Sequence, residues 1–247
     1  MKPDRFFKEN HRVALGFSGG VDSSYLLYAG IMCGADIRPY YIKSAFQPQF
    51  ELNDALRLTQ QLGVEMKVLE IDILSLPAVV QNSSERCYYC KRELFATLQR
   101  QALADGYSVL IDGTNASDDA DNRPGMRALR ELSVRSPLRE SNLTKEDVRR
   151  LSKEAGLFTW DKPAYACLAT RIPTNESITA EMLERVEKSE EALFHLGFSD
   201  FRVRVFNGAA RLQFLPCQMD KALAEAEAIK KSISPYFSIV LLDLEGR

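Results

Sequence analysis

The stretch Val13-Ala14-Leu15-Gly16-Phe17-Ser18-Gly19-Gly20-Val21-Asp22-Ser23 decides the fold. An apolar run ends in paired glycines, and an Asp and two serines then open a segment with helical apolar residues, Tyr25, Leu26, Leu27 and Ala29. That order predicts a strand, a tight turn and a helix start, where unpaired backbone N–H groups point outward and the helix dipole adds positive partial charge. Glycines let the backbone close around a phosphate without Cβ clashes. Ser18 and Ser23 add hydroxyl donors, and Asp22 is placed to hold a magnesium ion. The Gly-Lys-Ser/Thr ending of the common phosphate loop is absent, which argues against transfer of a γ-phosphoryl group.

Outward from this turn, strand and helix patterns alternate. Ile37 to Ile42 reads as a strand, and Phe50 to Leu62 as an amphipathic helix stopped by Gly63. A strand follows over Val64 to Ile71, a helix over Tyr88 to Ala104, and a strand over Ser108 to Ile111 leads into Asp112-Gly113-Thr114-Asn115. This alternation predicts an α/β class, a doubly wound, mostly parallel sheet with ligands at the carboxyl ends of its strands. The acidic stretch Asp118 to Gly125 reads as a polar loop, and Thr144 to Ala155 as a helix capped by Thr144 with Asp147 three residues on.

The texture changes near Ile178. A charged amphipathic helix over Thr179 to Leu196, an alternating strand over Phe201 to Phe206, the hairpin signal Asn207-Gly208, a return strand, a helix over Met219 to Ser232 and a strand over Tyr236 to Leu242 make a smaller α+β unit. The expected domains are therefore 1–175 and 176–247, with the turn-rich stretch Pro163 to Ile178 as the hinge.

With 247 residues, 45% of them hydrophobic, the chain can bury one large core or two smaller ones. The balance of 32 Lys+Arg against 34 Asp+Glu gives a net charge of −2, without the global pull toward nucleic acid or anionic membranes that a basic protein has. Neither a signal-peptide pattern nor an uncharged run of membrane-spanning length occurs, so a cytoplasmic protein with small-molecule partners is expected. Five cysteines, an odd number, argue for metal, redox or nucleophilic use rather than a disulfide framework. Cys87 and Cys90 have the spacing of a metal, cluster or redox pair. Cys167 sits in the turn-rich stretch Ala166-Cys167-Leu168-Ala169-Thr170-Arg171-Ile172-Pro173, while Cys33 and Cys217 read as buried small hydrophobes. Three thiolates without a fourth ligand suit an iron–sulfur cluster with one open iron better than structural zinc. The plainer alternative leaves Cys87 and Cys90 as reduced bystanders.

Ser18 to Ser23 resembles the PP-loop of the ATP pyrophosphatase superfamily, which splits ATP into AMP and pyrophosphate to adenylate a substrate oxygen. The resemblance implies an adenine nucleotide α-hydrolase-like fold, with Ser18, Gly19, Gly20, Asp22 and Ser23 gripping pyrophosphate and Gly113 and Thr114 near the nucleotide. Arg86-Cys87-Tyr88-Tyr89-Cys90-Lys91, Asp112 to Asn115 followed by Arg123-Pro124-Gly125, Cys167 to Pro173 and Arg202-Val203-Arg204-Val205 are together similar to the sulfur transferases that build the nickel-pincer nucleotide of lactate racemase.

That family adenylates a carboxylate of pyridinium-3,5-biscarboxylic acid mononucleotide and converts it to a thiocarboxylate. In one subtype the cysteine at the Cys167 position surrenders its own sulfur; in the other, three cysteines hold a [4Fe-4S] cluster that carries it. Cys87, Cys90 and Cys167 match the cluster subtype. The resemblance further implies ATP and Mg2+ as cofactors, a sulfide or other sulfur donor, a homo-oligomer, and substrate-phosphate binding by Arg202 and Arg204 with Glu190 lining the same site. Two arginines alternating on one strand face suit a phosphate on their own chemistry, although such pairs are commonly just solvated. Gln213 stands where the family commonly has an acid. A cluster-dependent tRNA thiolase is the competing reading, and the balanced charge speaks against it.

Overall fold

In chain order the computed structural model, which describes residues 3–118 and 124–247, places α1 at Asp4–Glu9, β1 at Arg12–Gly16, α2 at Val21–Met32 and β2 at Asp36–Lys43. There follow α3 at Gln49–Gln61, β3 at Lys67–Glu70, α4 at Pro77–Val80, α5 at Arg86–Ala104, β4 at Val109–Ile111, α6 at Pro124–Glu131, α7 at Pro137–Glu140 and α8 at Lys145–Glu154. The remainder comprises α9 at Ala180–His195, β5 at Arg202–Phe206, β6 at Ala209–Gln213, α10 at Met219–Ala224, α11 at Ala226–Ile233 and β7 at Val240–Leu242. Part of the acidic stretch Asp118 to Gly125, including Arg123, lies outside the described residues.

The chain divides into two units. The first combines Met1–Asp72 with Cys87–Lys162, and the second combines Ile73–Arg86 with Pro163–Arg247. The boundary expected near residue 175 thus falls inside the second unit. The reason is backbone pairing: Asn175 N donates to Asn82 O at 2.9 Å and Ile178 N to Val80 O at 2.9 Å, so the excursion around α4 is stitched to the turn-rich stretch.

The first unit holds a four-stranded sheet of order β3-β2-β1-β4, and its pairings are all parallel. Alternate residues of β1 feed opposite faces, because strand side chains alternate with period two. Val13 and Leu15 join a core with Leu26, Leu27, Ala55, Leu58, Leu138, Val148 and Leu151, so α2, α3, α7 and α8 serve one face. Ala14 joins Tyr40, Leu98, Ala102, Tyr107 and Leu110, which puts α5 on the other. The sheet is therefore wound on both faces, as the alternation predicts. Neighbour order reverses where β1 lies between β2 and β4, and the crevice at the carboxyl ends of β1 and β4 is where such folds bind ligands.

The second unit has a three-stranded sheet of order β5-β6-β7. β5 and β6 form an antiparallel hairpin whose turn residues Asn207 and Gly208 both have positive φ, 49° and 79°, as a tight two-residue hairpin demands. β7 adds parallel to β6. The helix α9 starts at the N-cap Thr179, whose hydroxyl accepts from Met182 N, and buries Leu183, Val186 and Leu193.

Three expected elements differ in extent. The helix expected over Met219 to Ser232 breaks at Glu225, where φ −100° and ψ 17° leave the helical region. The third and last strands shrink to Lys67–Glu70 and Val240–Leu242, because only those residues find ladder partners. Cys217, expected buried, is exposed in the surface 3-10 turn Pro216–Gln218, and Cys33 is half-buried with its thiol 3.6 Å from Asp4 Oδ1. Among the described residues, no helix is long and apolar enough to cross a membrane.

Candidate functional site

The turn between β1 and α2 is held by its own serines. Ser23 Oγ donates to Gly20 O at 3.2 Å and accepts from Ser18 N at 3.3 Å, and Ser18 Oγ accepts from Gly20 N at 3.3 Å. Gly19 has φ 69°, and a Cβ there would stand 3.1 Å from the backbone of Ala55, so both conformation and space require glycine. Gly20 is the N-cap of α2 and makes no side-chain cap bond, so the helix start depends on other partners for its first N–H groups.

The end of β4 closes against this turn. A Cβ on Gly113 would lie 2.9 Å from Ser23 N and 3.3 Å from both Asp22 C and Asp22 Cβ, so the two loops meet backbone to backbone. Asp112, which is buried, accepts from Thr114 N at 3.2 Å, Thr114 Oγ1 at 2.5 Å and Ser136 Oγ at 2.7 Å, and this fixes the Gly113-Thr114 segment. Asn115 extends the arrangement, donating from Nδ2 to Asp22 Oδ1 at 3.2 Å. The other oxygen of Asp22 pairs with Lys145 Nζ. Ser18, Gly19, Gly20, Asp22, Ser23, Gly113 and Thr114 are thus gathered at the sheet's switch point. Asn115 and Lys145 join them; Asn115 was quoted in the sequence motif without a role, and Lys145 carried no sequence signal beyond its place after a helix cap.

In the second unit the centre is a buried ion pair. Arg171 and Glu190 side chains are 0% and 2% exposed, and the guanidinium bridges the carboxylate through Nε–Oε1 at 2.9 Å and Nη2–Oε2 at 3.1 Å. Burial opposes the Arg171 charge, yet the hydrogen bonds and charge of Glu190 outweigh it and raise its pKa. Glu190 also accepts from Val203 N at 3.0 Å and from the Tyr165 hydroxyl. Its oxygens are therefore committed to the protein interior, whereas the family resemblance implied that Glu190 lines the substrate-phosphate site. Arg171 donates to Ala166 O at 2.7 Å and to Cys167 O at 3.4 Å, so it also shapes the loop that carries Cys167.

Arg202 and Arg204 flank this centre, and neither is simply solvated. Arg202 is 6% exposed and donates to Phe201 O at 2.6 Å and Ala164 O at 2.7 Å. Arg204 is half-buried and donates to Gln213 Oε1 at 2.6 Å and Thr170 O at 2.7 Å. Neither forms an ion pair with a carboxylate among the described residues. Burial first, and the charge of Arg171 second, lower the pKa of both, and Arg211 adds to the effect on Arg204. Gln213 passes the contact on from Nε2 to Asp243 Oδ2 at 2.7 Å. An acid at that position would neutralise Arg204; the amide leaves its charge standing.

No family model matches the chain. The chain is 37% identical to an uncharacterized protein of Synechocystis sp., over 98% of this chain and 92% of that one. It is 31% identical to the pyridinium-3,5-bisthiocarboxylic acid mononucleotide synthase of Lactiplantibacillus plantarum, over 97% of this chain and 88% of the relative. It belongs to that synthase family. A weaker likeness, 22% identity over 61% of this chain and 54% of the relative, links it to the tRNA-specific 2-thiouridylase of Thermotoga maritima and so to the wider PP-loop superfamily.

Cys87, Cys90 and Cys167 are divided between the units. Cys87, exposed, and Cys90, half-buried, stand one turn apart near the start of α5, on the same side of the helix. Cys167, half-buried, belongs to the second unit and precedes the 3-10 turn Leu168–Arg171; its carbonyl accepts from Thr170 N at 3.0 Å and Thr170 Oγ1 at 2.9 Å. Among the described residues, no group of three or more His, Cys, Asp or Glu side chains is assembled to hold a metal ion. Tyr165, which the sequence did not mark, and Arg171, quoted in the Cys167 motif without a role, organise the Arg202–Arg204 strand and the Cys167 loop around Glu190.

Proposed function

We propose that this protein is an ATP-using sulfur transferase that adenylates a carboxylate of pyridinium-3,5-biscarboxylic acid mononucleotide, releases pyrophosphate, and lets sulfur displace AMP to leave a thiocarboxylate. The observation that carries the reading is the near full-length likeness to the L. plantarum synthase. The crevice at β1 and β4 suits its first half: a carboxylate oxygen is a poor leaving group, and coupling to AMP makes it a good one. In this reading Ser18, Gly19, Gly20 and Ser23 cradle the phosphates, Gly113 and Thr114 face the nucleotide, and Asp22 holds Mg2+. The ion would have to share Asp22 with groups already there, since Lys145 and Asn115 occupy its oxygens. When bound, Mg2+ supplies charge neutralisation on the departing pyrophosphate.

Arg202 and Arg204 suit the substrate phosphate, because two guanidinium groups whose charge is penalised by burial and by Arg171 gain from an incoming anion. Glu190 acts by holding Arg171 and the strand rather than by touching substrate. For the sulfur, we assign Cys87, Cys90 and Cys167 as the thiolates of a [4Fe-4S] cluster, which when bound supplies a transferable sulfide. The paired placement of Cys87 and Cys90 on one helix turn supports two of those ligands. The place of Cys167 in a loop of its own, just before a 3-10 turn, supports a second reading, in which it gives up its own sulfur.

Pyrophosphate release measured with and without the pyridinium substrate tests the activation step. It is expected to depend on the substrate and to vanish in Asp22→Ala. Substrate-independent release, or release that survives this substitution, refutes the assignment. Anaerobic reconstitution with iron and acid-labile sulfide assays separates the sulfur routes: iron bound in wild type and lost in Cys87→Ala and Cys90→Ala supports the cluster, whereas loss of the mass of one hydrogen sulfide from Cys167 during turnover without iron establishes the alternative. Tight, salt-sensitive binding of total tRNA would instead favour the thiolase reading.

A further inference from the structure

Lys145 is the first residue of α8, fixed from both sides. The preceding Thr144 caps the helix reciprocally with Asp147, and Lys145 N donates to Ser117 Oγ at 3.0 Å. α8 in turn buries Val148 and Leu151 in the core that contains Leu26 and Leu27 of α2. The root of the lysine is therefore held beside the phosphate loop, while its flexible stem carries the ammonium onto Asp22 Oδ2. The side chains of the pair remain 34% and 21% exposed, in contrast to the sealed Arg171–Glu190 pair. A pair this open contributes about 0–1 kcal/mol to stability, so folding alone does not explain it.

Resting on the reading of Ser18 to Ser23 as the ATP loop, we propose that Lys145 positions the nucleotide's phosphates, its ammonium exchanging between Asp22 and the phosphate oxygens. Asp22 beside a polyphosphate would repel it unless a cation lies between them. An ammonium with three donors on a four-carbon stem can exchange a carboxylate for phosphate oxygens without backbone movement, and Asn115 keeps hold of the other oxygen of Asp22 as it does so. The same ammonium competes with a divalent cation for Asp22. Lys145 therefore opposes metal binding without nucleotide and favours phosphate binding, two effects of opposite sign.

The test uses the full chain and two equilibrium measurements on wild type, Lys145→Met and Lys145→Arg: ATP affinity by calorimetry in EDTA, and Mn2+ affinity by electron paramagnetic resonance without nucleotide. Lys145→Met is expected to weaken ATP binding about tenfold or more and to tighten Mn2+ binding several-fold, and Lys145→Arg to stay within a few-fold of wild type in both. Lys145→Gln serves with the same expectation should the methionine variant fail to fold. A merely structural role would weaken both ligands together. ATP binding within twofold of wild type in Lys145→Met, or Mn2+ binding that does not tighten, overturns the assignment. Wild type that binds no ATP overturns the loop reading itself. Wild type that binds ATP and loses Mn2+ in Asp22→Asn, with Lys145→Met unchanged, overturns only the role of Lys145.

Discussion

Replacing Glu190 with Ala should destabilise the second unit rather than selectively weaken substrate binding. The substitution strands a guanidinium that is 0% exposed and removes the acceptor of Val203 N, whose residue is also fully buried. Breaking a buried ion pair by deleting one partner costs about 3–5 kcal/mol, and an unsatisfied buried N–H about 1–3 kcal/mol. The two overlap, so a loss of at least about 3 kcal/mol is expected, against a total of roughly 5–15 kcal/mol for a natural domain. Urea titration followed by far-UV circular dichroism measures it; the single Trp160 lies in the first unit and serves as its separate probe. The double variant Arg171→Met/Glu190→Met should recover much of the loss, since an apolar pair of similar volume can replace a buried ion pair at little cost. A Glu190→Ala protein within about 1 kcal/mol of wild type, or a double variant as unstable as the sum of the singles, would refute the reasoning.

Gly113→Ala drives a Cβ to 2.9 Å from Ser23 N and should cost about 1–3 kcal/mol, with weakened ATP binding because the strain falls on the start of α2; calorimetry and a urea midpoint check both. Thr144→Ala removes a cap that both accepts from Asp147 N and belongs to a reciprocal box, and should cost about 1 kcal/mol, read as a lower urea midpoint at unchanged slope. Burial, aided by the charge of Asp4, pushes the Tyr25 pKa from 10.0 up to about 12. Because the unfolded chain gives up this proton first, stability is full below pH 10 and falls as pH rises toward 12. Tyr25→Phe should flatten that alkaline slope in denaturant melts, and an unchanged slope would assign the loss to other groups.

Those parts of the fold whose signals are local were largely legible. Val13 to Ser23 carries its own strand, turn and helix start, Thr144 and Asp147 form the expected capping box, and Asn207-Gly208 takes the positive-φ turn that its residues favour. Site geometry that depends on distant partners was less legible. Asp22 and Lys145 are separated by 123 residues, and no local pattern announces their meeting. Arg202 and Arg204 alternate like a solvated strand face, but the loop from Ala164 to Thr170 covers them with carbonyls. Glu190 sits on a charged helix among Lys188, Glu187 and Glu191, so composition disguises the one carboxylate there that is buried against an arginine.

The stitching of residues 73–86 to the stretch after Pro163 has a consequence for vectorial synthesis. Asn82 must wait for a partner, Pro173, that emerges 91 residues later, and its side chain bonds that carbonyl at 2.7 Å. At about 5–20 residues per second the delay is roughly 5–20 s, during which the first unit can close its sheet while this excursion stays unmatched. The chain cannot be cut into two self-sufficient pieces at any single peptide bond, because one unit begins before the other has finished. A nascent chain stalled before Pro163 would expose the excursion to proteases while β1 to β4 were already protected.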